Sequence, residues 1–335
     1  MKAIHFATPG DPDVLTLVER PEPSPRPGEV LIAVRAAGVN RADVMQRRGL
    51  YPPPPGAPDI LGLEVAGEIL AIVPSSDSVA AAPVGLAVGQ PVMALLAGGG
   101  YAEQVAVPAQ QVLPIPPGLS MEAAGAIPEV FLTAYLNLFM LGGLPFRDGR
   151  RATVLIHGGA SGVGTAALQL CRAAGLTAYC TVGDDARAER CRELGAAAAW
   201  NYHQVDFQEA VGQATAGAGV SLILDCVGGE YLERNLRTLS PDGRLVIIGL
   251  MGGMQASLDL ARLLRSRLQI LGSTLRPLPL ARKAELVAEF SARALPLFNT
   301  GELQPIVEQV FPLEQASQAH RALDAAHFGK LVLRI

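Results

Sequence analysis

Charge is scarce in this sequence: 17% of its 335 residues are Asp, Glu, Lys or Arg, and the formal net charge is −4. Phosphate-backbone binding needs a basic surface, so no nucleic acid is expected as a partner. Cysteine is scarcer still. The four cysteines, Cys171, Cys180, Cys191 and Cys226, form no C-x-x-C pair and lie in apolar surroundings, which excludes a disulfide framework and points to a reduced chain. The five histidines, His5, His157, His203, His320 and His327, give no H-E-x-x-H and no other metal spacing. The longest uncharged stretch, Ser78 to Ala102, is broken by Pro83, Pro91 and several glycines, so it does not read as a membrane helix. MKAIHFATPG at the start has no secretory h-region. A soluble, cytoplasmic protein with no membrane partner is expected.

What is present suffices for a large core. Half the residues are hydrophobic, and the length allows two domains of ordinary size. In the first third, EVLIAVRAAGV (29–39), LEVAGEILAIV (63–73), QPVMALL (90–96) and YAEQVAVP (101–108) read as short strands bounded by Gly or Pro, a pattern that suggests a small barrel-like domain. Between them, YPPPPGAP (51–58) is either a surface loop stiffened into polyproline II or a rigid loop holding Tyr51 at the mouth of a cleft.

From Met121 the texture changes. MEAAGAIPEVFLTAYLNLFML is helical in period, and the chain then alternates strand and helix. TVLIHG (153–158), LTAYCTV (176–182), AAAAWNY (196–202), SLILDCVG (221–228) and RLVIIGL (244–250) are continuous apolar runs, as a parallel sheet covered on both faces requires. Helix patterns follow Gly162, Asp185 and Glu230. The reading is α/β: a doubly wound sheet of five parallel strands, whose ligands bind beyond the strands' carboxyl ends. The Arg-rich LDLARLLRSRL (258–268) is taken as a solvated helix face rather than an RNA contact; QILGST (269–274) reads as strand-like, and 281–295 as a helix. The final KLVLRI (330–335) is a strand expected to fold back on the N-terminal β domain.

VLIHGGASGVGTAALQL (154–170) carries the chemistry. A pyrophosphate needs backbone N–H groups aimed at it with no Cβ in the way, beside a helix N-terminus. Gly159 permits the tight turn, Gly162 beside Val163 lets the backbone approach the phosphate, and Gly164 lets the helix pack closely on the strand. Ser161 stands where the fingerprint G-x-G-x-x-G has its middle glycine; its hydroxyl either bonds a phosphate or caps the helix. A nucleophile elbow fails, since Val163 occupies the last glycine of G-x-S-x-G.

GASGVG in this setting resembles the medium-chain dehydrogenase/reductase superfamily, and more narrowly its quinone oxidoreductases of the zeta-crystallin type. NRADVMQRRGLYPPPPGAPDILGLEVAGEI, PIPPGLSMEAAGAIPEVFLTAY and LILDCVGG look especially like the tumour-suppressor-inducible quinone oxidoreductase branch. The resemblance covers essentially the whole chain. It implies a GroES-like domain (1–125, completed by 275–335), a Rossmann domain (126–274) and NADPH in the cleft between them. It also implies a homodimer, with QILGST extending the sheet from one subunit to the next. Where the superfamily's zinc members carry Cys, His and Cys, this chain has Asn40, Leu63 and Glu129, a set that will not hold zinc. No metal is expected.

A hydride acceptor that needs no Lewis acid is therefore implied, namely a small-molecule quinone or an activated enone. By the same resemblance Asn40, Asp43 and Tyr51 line the substrate side, with Tyr51 orienting the acceptor oxygen or relaying a proton. Against that, Asp43 reads equally as a structural carboxylate and Tyr51 as an aromatic wall. Thr133, Cys226, Val227, Met251, Gly252 and Lys330 match positions near the cofactor; back-bonded helix threonine, plain packing and surface lysine are the competing readings.

Cofactor choice turns on the end of the second strand. The place where NAD enzymes carry a ribose-binding carboxylate falls at Val182. Gly183-Asp184-Asp185-Ala186-Arg187 follows, with Arg187 where similar enzymes have a phosphate-binding Lys, and Tyr202 matches a phosphate-contacting tyrosine. Asp184 opposes a 2′-phosphate unless it serves as a helix cap. A charge-assisted bond from Arg187 of about 1.5–3 kcal/mol against roughly 1 kcal/mol of repulsion leaves NADPH favoured over NADH by about tenfold. Three functions are carried forward: NADPH-dependent quinone reduction, reduction of α,β-unsaturated carbonyls, and a low-turnover nucleotide-binding, structural or RNA-binding protein.

Overall fold

Glu29–Val39 is the hub of the N-terminal β structure, because its alternating side chains leave both edges free to pair. It runs antiparallel to Glu64–Ile72 on one side. Its other side is shared between Gln104–Pro108 and the last strand, Lys330–Arg334. Val307–Pro312 extends the sheet beyond the last strand, and Pro91–Leu95 with Val112–Pro114 extend it beyond Glu64–Ile72, giving seven strands along the hydrogen-bonded path and its branch. Val30, Ile32, Val34, Val65, Ile69, Val105 and Leu331 fill the interior. The C-terminal strand closes this sheet.

The computed structural model describes residues 1–75 and 85–335, so the first part of Ser78–Ala102, including Pro83, lies outside the described residues. The chain forms two compact units, Met1–Leu132 with Leu275–Ile335, and Thr133–Thr274. The first boundary thus lies beyond the expected 125/126 and inside helix Pro128–Tyr135. Local packing explains the shift. A Cβ on Gly125 would stand 3.1 Å from Ala36 Cβ, and the Glu129 N–H donates to Glu64 at 2.9 Å, so 125–129 belongs with the β structure.

The second unit holds a parallel sheet of six strands, not five, in the order Ala198–Asn201, Thr177–Val182, Thr153–His157, Val220–Asp225, Leu239–Ile247, Gln269–Gly272. QILG supplies the sixth by pairing with Arg244–Ile247. Val154, Leu155 and Ile156 are fully buried, each contributing about 1.5–3 kcal/mol of hydrophobic stabilisation. Strand order reverses at Thr153–His157, and a ligand crevice forms where two crossovers diverge from such a strand.

Candidate functional site

The turn after Thr153–His157 is fixed by contact. A Cβ on Gly164 would lie 2.2 Å from the Gly158 carbonyl oxygen, and one on Gly159 would lie 2.6 Å from Cys180 Sγ. Only glycine lets helix Gly162–Ala174 sit this close to the strand. Ser161 is the N-cap: its Oγ accepts the Gly164 N–H at 3.0 Å, so the hydroxyl serves the helix. The N–H groups of Gly162 and Val163 precede the first intrahelical bonds and remain the donors at the positive end of the dipole. His157 behind them is neutral, its imidazole pushed down to about 4 by burial. Nε2 lies 2.8 Å from Asn235 Oδ1, which can only accept, so Nδ1 takes the Thr181 hydroxyl proton at 2.9 Å. It is a structural histidine.

At the end of Thr177–Val182 two side chains converge on Gly183. A Cβ there would stand 2.9 Å from Arg187 Nη2 and 2.9 Å from Tyr202 Oη. Tyr202 is brought alongside by its own N–H, which donates to the Val182 carbonyl at 3.0 Å. Asp184 caps helix Asp185–Glu193: Oδ1 accepts the Arg187 N–H and Oδ2 the Arg187 Nε, both at 2.7 Å, and these bonds hold its carboxyl below the usual range. The aspartate therefore neutralises and aims Arg187 while Nη2 stays beside Gly183. A glycine without Cβ flanked by a guanidinium and a phenol fits a ribose phosphate, and Val182 is buried.

The next two loops are zipped together. Met251 N–H donates to the Cys226 carbonyl at 3.2 Å and Gly252 N–H to the Val227 carbonyl at 2.7 Å. These four residues lock each other's backbone beyond Val220–Asp225 and Leu239–Ile247 rather than offering those groups to a ligand. The Met251 side chain is 71% exposed. The Cys226 thiol donates to the His157 carbonyl at 3.4 Å. Thr133 is half-buried in its helix, and its carbonyl accepts Asn137 Nδ2 at 2.7 Å.

Within the β unit, Asn40 and Asp43 are parts of a helix cap. Asn40 opens helix Arg41–Arg47, its N–H donating to Asp43 Oδ2 at 2.8 Å, and Asp43 Oδ1 accepts the Gly62 N–H at 2.9 Å. Asp43 is fully buried and its carboxyl rises to about 6 through desolvation, partly offset by those two amides. Tyr101 donates to the same carboxylate at 3.3 Å and lies 3.2 Å from His320 Nε2, whose Nδ1 faces Arg47 Nη1 at 3.3 Å. Because arginine only donates, the proton order is set: Arg47 to His320, His320 to Tyr101, Tyr101 to Asp43. So enclosed, Asp43 takes the structural role.

Lys330 is not on the surface. Its ammonium donates to the Val39 carbonyl and Asn40 Oδ1 and pairs with Glu64 Oε1, each at 2.7 Å, which engages all three donors and leaves none for a cofactor. Asn40 Nδ2 also donates to Glu64 Oε1 at 2.9 Å. Of the three places tested for zinc, Asn40 is tied into this network, Leu63 is buried in apolar packing, and Glu129 supplies one carboxyl. That set does not fit the metal. Among the described residues, no three His, Cys, Asp or Glu side chains gather as a ligand group.

Two members of this region carried no sequence signal. Arg276 lies with its guanidinium carbon over the Tyr51 ring, 5.6 Å from the centroid, and Lys283 donates to the Arg276 carbonyl at 2.7 Å. Leaving a buried charged donor unpaired costs on the order of 1–3 kcal/mol or more, and both Arg276 Nη atoms are so placed. Tyr51 is half-buried, and burial raises its phenol above the ordinary value, with Glu129 adding to the rise and Arg276 opposing it, so it remains a hydrogen-bond donor at neutral pH.

Comparisons with known proteins bear on the family and the fold. Residues 26–117 match the model of the alcohol dehydrogenase GroES-like domain, and residues 162–292 match that of the zinc-binding dehydrogenases. The human synaptic vesicle membrane protein VAT-1 homolog is 32% identical over 97% of this chain and 84% of its own length. A crystal structure of Escherichia coli quinone oxidoreductase complexed with NADPH superposes with a TM-score of 0.86 at 28% identity, covering both chains completely. An NAD-dependent alcohol dehydrogenase does so with a TM-score of 0.85 at 31% identity, again over both whole chains.

Proposed function

This chain belongs to the medium-chain dehydrogenase/reductase superfamily of oxidoreductases, and we propose that within it the protein uses NADPH to reduce quinones without a metal. The observation that carries the reading is the corner at Gly183, where Arg187 Nη2 and Tyr202 Oη both come within 2.9 Å of the place a Cβ would take. Likeness to the E. coli quinone oxidoreductase complexed with NADPH supports it. When bound, NADPH supplies a hydride from its dihydronicotinamide ring. Gly162 and Val163 amides bind the pyrophosphate at the helix N-terminus, Gly159 and Gly164 keep that approach open, and Arg187 with Tyr202 takes the 2′-phosphate. Thr133, Met251 and Gly252 bound the nicotinamide side. Tyr51 orients the acceptor, and Asn40 with Lys330 and Glu64 stiffens the wall behind it.

An acceptor that takes hydride readily suits a site whose donor set cannot hold zinc. The protein acts in the cytoplasm as a homodimer joined along the edge strand Gln269–Gly272. The test is steady-state oxidation of NADPH and NADH by a panel of quinones, enones and simple aldehydes under one set of conditions. Quinones reduced with the highest kcat/KM and NADPH preferred is the expected result. A higher kcat/KM for enones reassigns the acceptor, and NADPH binding with no acceptor reduced leaves a nucleotide-binding protein without this activity.

A further inference from the structure

The β unit encloses a guanidinium that the fold leaves partly unpaired. Arg276 is 3% exposed. Its Nε donates to the Ala97 carbonyl at 2.8 Å, while Nη1 and Nη2 are buried with no hydrogen-bond partner. Tyr51 lies against the cation through its ring and takes neither Nη hydrogen. Glu129 stands in the same electrostatic field, acting on both Arg276 and Tyr51. Its Oε2 is likewise buried and unpartnered, although its N–H donates to Glu64 Oε2 at 2.9 Å. Among the described residues neither Arg276 nor Glu129 makes an ion pair. Folded proteins satisfy nearly all such buried groups, so two orphaned neighbours of complementary chemistry mark the place of a third participant.

We propose that Arg276 and Glu129 form the oxygen-binding end of the acceptor pocket, the guanidinium holding the acceptor oxygen and the Glu129 carboxyl giving it a proton. This rests on the reductase reading above. The acid is available at neutral pH: burial, reinforced by the Glu64 charge, lifts the Glu129 carboxyl to about 8, with Asp43 adding to the rise and Lys330 and Lys283 opposing it. Arg276 and Tyr51 complete the charged and titratable groups that face it.

The step balances simply. The acceptor gains two electrons and one hydrogen as hydride from the reduced nucleotide, its carbonyl π bond opens, and negative charge settles on its oxygen. Arg276 receives that charge through Nη1 and Nη2. The O–H bond of Glu129 breaks, a new O–H bond forms on the acceptor, and the Glu129 carboxylate is reprotonated from water. NADPH, one proton and a quinone become NADP⁺ and a hydroquinone; an enone gives its enol through the same oxygen.

Two measurements test the pair. In the first, kcat/KM for 9,10-phenanthrenequinone with NADPH is followed from neutral to alkaline pH. Wild type holds its rate below about 8 and loses it above, as Glu129 gives up its proton. E129Q loses that limb and runs about 10²-fold slower, the ordinary contribution of a positioned general acid. In the second, 4-nitrophenolate, a stable phenolate anion, is titrated into the protein without nucleotide, and R276Q binds it at least about tenfold more weakly. An E129Q enzyme that keeps the wild-type limb and rate, or anion binding indifferent to R276Q, overturns the pair while leaving the reductase reading intact. Wild type that oxidises NADPH with no quinone or enone overturns both. Should E129Q fail to fold, the wild-type solvent deuterium effect decides: a normal effect below the alkaline limb supports proton donation and its absence overturns it.

Discussion

Asp184 governs how strongly Arg187 can reach an anion. Its carboxylate occupies the Arg187 Nε and caps the helix through the Arg187 N–H, both at 2.7 Å. The pair is half-exposed and contributes little to stability, so its weight falls on binding. Asp184→Asn keeps a competent cap and removes the competing charge. The ratio of kcat/KM for NADPH over NADH should rise about tenfold, roughly 1.4 kcal/mol. Arg187→Ala should lower the same ratio. If both variants leave it unchanged, the 2′-phosphate is not held at Gly183. Asp184 and Arg187 were legible in the sequence because they sit within a few positions of Gly183, and Tyr202 was legible only by resemblance; that the aspartate aims the arginine was not, since cap geometry is a property of φ, ψ and distance. Lys330 shows the opposite limit. A lysine in GKLVL looks like any surface lysine, and only the pairing of the last strand with Ala36–Val39 carries it inward to Glu64. Arg276 and Glu129 lie far apart in the chain, so no local pattern could join them.

At the scale of elements, continuous apolar runs and Gly-bounded strands located five of the six parallel strands and the hub Glu29–Val39, because burial on both faces forces that composition. QILGST reads as a strand-like run, but its place as the sixth strand of this sheet does not follow from its own residues. QILG is short and half-buried, and its assignment depends on pairing with Arg244–Ile247 rather than on its own residues. Short helix Arg41–Arg47 escaped for a similar reason, its start being defined by the Asn40–Asp43 cap. The sixth strand leaves one edge of the sheet open, and the helix before it, Leu260–Ser266, presents Leu260 at 66% and Leu264 at 78% exposure. Apolar side chains beside an unpaired edge favour association with a second copy. Leu260→Glu with Leu264→Glu should convert a dimer to monomer in sedimentation velocity without lowering the melting temperature of the monomer. A double variant that sediments as wild type places the interface elsewhere.

Over the whole molecule, buried ionisable groups set how stability follows pH. His157 and His320 are neutral when folded, pushed down to about 4 and about 3 by burial. Unfolding lets them take protons below the ordinary imidazole value of about 6.5, so they favour the folded state above that pH and lose stability as it falls. Asp43 and Asp225, raised to about 6, and Glu129, raised to about 8, act in the opposite sense. Their folded forms keep a proton that the unfolded chain releases, so their stabilisation is complete below the ordinary carboxylate value and fades as pH rises through the folded one. Below about 6.5 the two sets oppose each other. Above about 6.5 the unfolded imidazoles, that of His327 included, lose their protons, and Glu129, which binds more proton when folded, increasingly sets the slope. Stability should fall as pH approaches about 8, with Glu129 contributing at most about 1.4 kcal/mol per pH unit and the fading histidine contribution opposing it. Glu129→Gln has no proton to lose, so its Tm should no longer fall over that window in calorimetry without nucleotide. If the variant loses Tm as steeply as wild type, the titrating group is not Glu129, and the carboxyl beside Arg276 is no reservoir of acid.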